Sequence, residues 1–253
     1  NKQNKSRQEM ERVISEDVVS TVLDKFNPET DYVIVEGREH WHLGVVGIVA
    51  ARVMRKFYRP AIILGGDGES LRGSGRSIEG VDLVSVLREC DDLLLSHGGH
   101  AMAAGVGISP GNVDLFRERI NLVVKNRLGG TIPNPTLKLD AESNLYELTM
   151  AQITELERLQ PTGQNNPNVQ IVIRDLELDR PSYRMGKEKQ HVKIWVRDDG
   201  NQCVEAVIWN VPEGEEPSGR FDLAATPQIN EYNGRRSVQL KVLDWCRAGE
   251  ERE

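Results

Sequence analysis

The sequence predicts two domains in series, an α/β domain followed by an all-β domain built as a small five-stranded barrel. Over about residues 30–128, apolar runs of strand length alternate with segments of helical periodicity, which is typical of an α/β domain. A stretch rich in glycine and proline follows, GGTIPNPT (129–136). After it, short segments alternate apolar and polar residues with period two, which indicates strands.

In the first domain, apolar runs predict strands at 32–35, 61–64 and about 103–108. Helical spacing predicts helices at 8–26, 45–57, 82–90 and 113–128, the last with an inward face of Leu115, Phe116, Ile120, Val123 and Val124. Between the second strand and the third helix, the polar stretch LRGSGRSIEG (71–80) is predicted to be a glycine-rich loop.

In the second domain, Thr149 and Gln152 form a possible capping box for a short helix. Alternation then predicts strands at 169–173, 192–196, 203–209, 221–232 and 236–245, the last two joined by an Asn233-Gly234 hairpin turn. About five strands in roughly 80 residues is the size of an oligonucleotide-binding (OB) barrel. We therefore expect a helix at 1–28, the α/β domain at 29–128, a linker at 129–136, the barrel at 137–248 and a frayed tail at 249–253.

The composition narrows the class of protein. The 253 residues carry a formal net charge of −7 and only three cysteines, which are far apart in the sequence. Three widely spaced cysteines argue against a disulfide framework and favour a reducing cytoplasm. No apolar run reaches the length of a membrane span, and the polar N-terminal stretch is no secretory signal. We expect a cytoplasmic monomer that has no membrane contact and binds nucleic acid, if at all, through a local basic patch.

Two glycine-rich stretches carry candidate binding residues. In LRGSGRSIEG, Arg72 and Arg76 flank Ser74, and guanidinium and hydroxyl groups suit a phosphate; an ordinary surface loop is the alternative. In GGHAMAAG (98–105), Gly98 and Gly99 allow a ligand to approach the backbone next to His100; a tight turn with a core histidine is the alternative.

The remaining candidates are histidines and a basic segment. Spacing does not make His40, His42, His97 and His100 a convincing zinc site, so we expect no metal in this chain. Between residues 180 and 197, basic side chains alternate with Tyr183 and Trp195. This fits a groove for single-stranded nucleic acid as well as it fits a solvated sheet face with Trp195 in the core.

Taken together and in this order, these pieces resemble the C-terminal part of the RecJ family of single-strand-specific exonucleases, within the DHH/DHHA1 phosphoesterase superfamily. The resemblance covers most of residues 1–245, and its matching stretches are EHWHLGVVGIVAARVMRKFYRPAIIL, LRGSGRSIEGVDLVSVL, LLLSHGGHAMAAGVGI, LERLQPTGQNNPN, KQHVKIWV and INEYNGRRSVQLKV. It implies a DHHA1 domain and an OB domain. It also implies that the first residues of this chain are the last part of a helix that connects the two halves of the family's core.

The resemblance also implies a division of roles. Ser74 and Arg76, with Arg72 and Arg7 as weaker candidates, would contact phosphates of a DNA strand. His100 would face the scissile phosphate as the catalytic residue, with Gly98 and Gly99 lining the cleft. The barrel would grip single-stranded DNA, which we assign to Arg184, Lys187, Lys189, His191, Lys193 and Trp195. The Mn²⁺ or Mg²⁺ centre would belong to a DHH module, expected before residue 1, so this chain alone is expected to be inactive.

Three alternatives remain. The fold could serve as a non-catalytic single-strand-binding module, which an upstream DHH module would exclude. It could be a DHHA1 phosphoesterase for short oligonucleotides, against which the barrel argues, because short substrates need no upstream grip. It could finally be a histidine zinc hydrolase, which would carry bound zinc.

Overall fold

A computed structural model describes residues 2–66, 69–163 and 165–250, and its contacts divide the chain into two compact units. The first unit is Asn1–Pro135 and the second is Thr136–Glu253. The expected frayed tail, 249–253, falls largely outside the described residues. No helix in the described part of the chain is long and apolar enough to cross a membrane.

The first unit is a five-stranded sheet with helices on both faces. Its elements are α1 (Lys2–Lys25), β1 (Ile34–Gly37), α2 (Leu43–Phe57), β2 (Ala61–Gly66), β3 (Leu71–Arg76), α3 (Leu83–Arg88), β4 (Leu94–His100), β5 (Ala103–Ile108) and α4 (Val113–Arg127). The strand order is β1-β2-β3-β5-β4, with β1 and β2 parallel and the other neighbours antiparallel. The sheet is therefore mixed.

Two apolar cores hold the helices onto the sheet. Residues of α3 and α4, such as Leu87 and Phe116, pack with Ile62 and Val106 on one face. Residues of α1 and α2 pack with Ile34, Ala61 and Ile63 on the other face. The alternation of strand side chains thus sends successive residues of β2 into different cores. The predicted inward face of α4 is confirmed except for Leu115, which is 56% exposed.

The prediction of a loop at 71–80 is wrong for the first six of these residues. They form strand β3, which lies between β2 and β5. Gly73 and Gly75 do not bend the chain around a ligand. Both positions require glycine for packing. A Cβ at Gly73 would lie 2.1 Å from the Ile63 carbonyl oxygen, and one at Gly75 would lie 2.6 Å from the Leu83 side chain. Glycines are poor strand formers, which is why the stretch reads as a loop.

The second unit is mostly sheet. Its elements are β6 (Ala141–Glu142), α5 (Met150–Glu157), β7 (Ile171–Leu178), β8 (Tyr183–Met185), β9 (His191–Arg197), β10 (Cys203–Ile208), β11 (Phe221–Tyr232) and β12 (Arg235–Arg247). The strand order is β6-β7-β11-β12-β10-β9-β8, and β9 also pairs with β7 through Glu177 opposite Arg197 and Leu178 opposite Val196. Among residues 136–163 and 165–250 the sheet has seven strands in place of the expected five, because β6 and β8 add two short ones.

Sequence signals for this unit are confirmed in detail. Thr149 and Gln152 form the capping box of α5, and the Asn233-Gly234 turn joins β11 to β12. Along β9, Val192, Ile194 and Val196 are fully buried, while the residues between them point outward. The outward phase of β9 therefore carries the side chains that face away from the core of this unit.

Candidate nucleic-acid interface

The first candidate surface is the side of strands β3, β5 and β4 that shares a face with α2; we call it the open sheet face. Strand register aligns three rows across it. The rows are Arg76–Ala103–His100, Ser74–Gly105–Gly98 and Arg72–Gly107–Ser96. The residues of β5 have almost no side chain, so a smooth strip lies between the arginines of β3 and the histidine of β4.

Dimensions of this strip follow from sheet geometry. Neighbouring strands lie about 4.8 Å apart, so the backbones of β3 and β4 are roughly 10 Å apart. From Ala103 to Gly107 the strip runs about 13 Å at roughly 3.4 Å per residue. An extended chain with phosphate groups could lie along β5, with guanidinium groups on one side and an imidazole on the other.

Arg76 and Ser74 form one polar group on this face. The Nη1 of Arg76 donates to the Ser74 Oγ at 2.6 Å and to the Gly75 carbonyl at 2.8 Å. Among the described residues, the guanidinium of Arg76 has no carboxylate partner, and neither has that of Arg72, which is exposed. Unneutralised arginines next to a hydroxyl are suited to bind a phosphate.

The GGHAMAAG stretch forms the hairpin of β4 and β5. Gly99 has φ +142°, and a Cβ there would lie 2.4 Å from the Ala103 carbonyl oxygen, so the hairpin requires glycine at this position. Gly98 differs, because a Cβ would meet nothing within 4 Å. His100 is exposed at the end of β4 and is not the buried core histidine of the alternative interpretation.

A cleft of about 540 Å³ opens at the Arg72 end of the open sheet face. Its wall includes His40 and His42. His42 caps α2 by accepting a hydrogen bond from the Gly44 amide at 3.0 Å, and the His40 Nε2 lies 3.8 Å from a carboxylate oxygen of Asp17. Both histidines therefore lie in the part of the cleft wall that borders the start of α2.

Other predicted residues lie elsewhere in the first unit. His97 points to the opposite sheet face, and its Nε2 is 2.9 Å from an Asp91 carboxylate oxygen. Arg7 is exposed on α1, in the helix layer. Within the described residues, no group of three or more histidine, cysteine or carboxylate side chains is placed to hold a metal ion.

The second candidate surface is the outward side of β9 with its neighbours; we call it the β9 face. Four basic side chains of the segment 180–197 are paired with carboxylates, two of them from the neighbouring strands β7 and β10. The pairs are Arg180–Asp179, Arg184–Glu216, Lys193–Glu205 and Arg197–Glu177. The sequence of the segment alone contains one acid among its basic residues, so it overstates the positive charge that the face presents.

Arg184 holds the β8–β9 hairpin together. Besides Glu216, its guanidinium donates to the carbonyls of Lys189, Val211 and Pro212. Lys187 and Lys189, on the same hairpin, are exposed and have no carboxylate partner among the described residues. The two lysines are thus the cations of this face available to a phosphate, and Arg184 positions their loop.

Aromatic side chains frame the β9 face. Trp195 is partly buried on the outward side, and the Arg180 guanidinium lies 4.9 Å over its ring, so Trp195 is not a core residue. Trp209 follows β10 and is 50% exposed, with its ring 4.5 Å from that of His191 in an edge-to-face arrangement. The amide of Asn210 donates to His191 Nδ1 at 3.1 Å, which leaves the Nε2 as the protonated nitrogen in neutral imidazole.

Trp209 is a candidate that the sequence analysis missed, because it reads as the apolar end of the strand CVEAVIW. The register of that strand contains the signal, since Glu205 lies opposite Trp195 and Val207 opposite Lys193, and Trp209 follows two residues later with the same phase. Tyr183, 62% exposed and opposite Lys193 in the β8–β9 register, adds a further aromatic ring.

Each of the two units matches a known family model. The family model described as "DHHA1 domain" matches residues 30–126, and that described as "RecJ OB domain" matches residues 139–244. The single-stranded-DNA-specific exonuclease RecJ of Bacillus subtilis (strain 168) is 34% identical over 245 residues, which cover 95% of this chain and 31% of the relative. RecJ of Escherichia coli (strain K12) is 32% identical over 212 residues, 80% of this chain and 36% of the relative.

Solved structures agree with these matches. Crystal structures of RecJ from Thermus thermophilus in complex with Mg²⁺ and with Mn²⁺ are each 25% identical and match with TM-scores of 0.78 and 0.77. Each match covers 98% of this chain, and 37% and 35% of the respective solved chains. The chain spans about a third of the length of the curated relatives it matches.

Proposed function

This chain carries the DHHA1 and OB domains of the RecJ family, and from this premise we propose that it is the substrate-binding portion of a 5′-to-3′ single-stranded-DNA exonuclease. The observation that carries the proposal is the open sheet face, where Arg72, Ser74 and Arg76 lie across a strip of alanine and glycine residues from His100. In the proposal the DNA backbone runs along this strip.

Each group on the face has a stated role in the proposal. Arg76 and Ser74 hold one phosphate, and Arg72 holds a neighbouring one towards the cleft. Gly98 and Gly105 leave the floor low enough for the backbone to approach, since a Cβ at either position would be free of close contacts in the protein itself. His100 faces the phosphate that is to be cleaved and orients it through its imidazole.

The described residues of this chain do not fit the divalent metal that the Thermus structures contain. The Thermus structures contain Mg²⁺ or Mn²⁺, but the described residues of this chain offer no convergent set of carboxylates and histidines. A divalent ion needs several such ligands within bonding distance. We therefore assign the metal-dependent hydrolysis to a separate DHH module, and the present residues to binding and orienting the strand.

For the second unit we infer a five-stranded barrel of the OB type. The chain of pairs β7-β11-β12-β10-β9 returns to β7 through the β7–β9 pairs, which supports closure. On its β9 face, the aromatic rings outnumber the unpaired cations of the described residues, so base stacking is proposed to contribute more there than charge. This also agrees with the net charge of −7, which does not favour binding by bulk electrostatics.

The binding claim is tested by fluorescence anisotropy with a labelled single strand and with the same strand in a duplex, at several salt concentrations. We expect the single strand to bind at least about tenfold more tightly, because stacking needs unpaired bases. Affinity should fall with salt by a slope that counts the phosphate contacts. Equal affinity for the duplex, or no binding to either, would contradict the proposal.

Replacing Trp209 with alanine should weaken single-strand binding by about 1 to 3 kcal/mol, the cost of losing one stacked base. Its half-exposed ring carries little of the core, so thermal unfolding should hardly change. Tyr146→Ala is the matched control, since Tyr146 is an exposed aromatic residue of the same unit outside the β9 face. If both variants bind as the parent does, Trp209 is not a stacking platform.

A further inference from the structure

Gly47 has no conformational reason to be glycine. It lies inside α2, a helix of 15 residues, and its backbone is helical with no positive φ. Glycine is the poorest helix former after proline, so alanine would serve the helix better. The reason for a glycine here must therefore lie in what surrounds it.

The surroundings of Gly47 belong to the phosphate-binding pair. A Cβ built on Gly47 would lie 3.2 Å from the Arg76 Nη2, 3.3 Å from the Ser74 Oγ and 3.5 Å from the Ser74 Cβ, and these are its three nearest atoms. Contacts this short would push the flexible guanidinium aside by a few tenths of an ångström. Gly47 is thus a point at which α2 comes close to the open sheet face.

The two terminal nitrogens of the Arg76 guanidinium therefore have different surroundings. Its Nη1 is engaged with Ser74 and with the Gly75 carbonyl. Its Nη2 faces the space that the absent side chain of Gly47 leaves, and no protein acceptor for it is found among the described residues. A side chain at position 47 would cover the nitrogen that remains for a ligand.

We propose that Gly47 is a positioning residue for phosphate binding: its missing side chain keeps Arg76 in place beside Ser74 and leaves the Nη2 open to a phosphate of the DNA strand. The inference rests on the proposed function. It adds a residue on α2 to a site otherwise built from strands, and the role is exerted through Arg76.

The test compares Gly47→Ala, Gly47→Leu, Arg76→Ala and the double variant Gly47→Leu with Arg76→Ala in single-strand binding at several salt concentrations. Alanine is a better helix former than glycine, so thermal unfolding of Gly47→Ala should be unchanged or improved, whereas the larger leucine adds bulk against Ser74 and Arg76 and is expected to lower the unfolding temperature somewhat. We expect about a threefold loss of affinity for alanine and about tenfold or more for leucine, as for one lost charge-assisted contact. Gly111→Ala, where a Cβ meets nothing within 4 Å, is the glycine control.

The salt dependence and the double variant separate positioning from mere damage to the fold. Gly47→Leu should lower the salt slope as much as Arg76→Ala does, and the double variant should bind no worse than Arg76→Ala. If the Gly47 variants bind as the parent while Arg76→Ala does not, the inference fails and the proposed site stands. If Arg76→Ala itself binds as the parent, the proposed phosphate site fails. If the Gly47 variants lose affinity for the single strand but keep the salt slope of the parent, the inference is also overturned.

Discussion

Replacing Gly99 with alanine is expected to destabilise the first unit by about 3 kcal/mol or more. A non-glycine residue at φ +142° costs roughly 1–3 kcal/mol in backbone strain. The new Cβ would also lie 2.4 Å from the Ala103 carbonyl oxygen and 2.7 Å from the Ala104 Cα, and overpacking against backbone costs about 1–3 kcal/mol more. The β4–β5 hairpin would have to shift to relieve these contacts.

Hydrogen exchange at increasing urea concentration, read on peptides that cover residues 94–108, measures this loss in the first unit alone. Gly98→Ala is the matched control one residue away. Its Cβ meets nothing within 4 Å, so the stability of the hairpin should be kept. The same methyl group rises from the open sheet face, so single-strand binding should weaken. Equal stability of the Gly99 and Gly98 variants would contradict the assigned hairpin geometry.

Replacing Arg76 with alanine is expected to weaken single-strand binding about tenfold or more, the range for a hydrogen-bonded contact to a charged group. The side chain is not paired with a carboxylate in the described residues, so its removal leaves no buried charge behind. The slope of log affinity against log salt should fall by about 0.7 for each phosphate contact that is lost from a single strand.

Two controls make the Arg76 result specific. Arg76→Lys keeps the charge but loses the planar fork, so it should fall between the parent and the alanine variant. Arg119→Ala removes the same charge from α4, which packs on the other sheet face, and breaks only an exposed pair with Asp92. An effect of Arg119→Ala as large as that of Arg76→Ala would mean that net charge, rather than the open sheet face, governs binding.

The sequence alone predicts the helices and the β11–β12 hairpin well, because their signals are local. Helix α4 has a regular apolar spacing, the Thr149 capping box precedes α5, and Asn233-Gly234 marks a turn. Strand β3 could not be found this way. Its glycines are required by Ile63 and Leu83, which are contacts distant in sequence, and glycine-rich stretches locally resemble loops.

The candidate site shows the same limit. The motifs containing Arg76 and His100 are visible in the sequence, but only the register of β3, β5 and β4 places them in one row. In the second unit, Glu216, Glu205 and Glu177 neutralise arginines and a lysine of a segment that is basic by its own composition. Charge pairing between segments that are distant in sequence depends on topology, which local composition does not contain.

The most direct test of the central claim is incubation of this chain with end-labelled single-stranded DNA and Mn²⁺, with binding and strand length read from the same sample. The account predicts that the DNA is bound and stays intact, because these residues grip the strand and the metal centre belongs to another module. Shortened DNA would show that a metal centre exists within these residues, and would contradict the proposed division of roles between this chain and a separate DHH module.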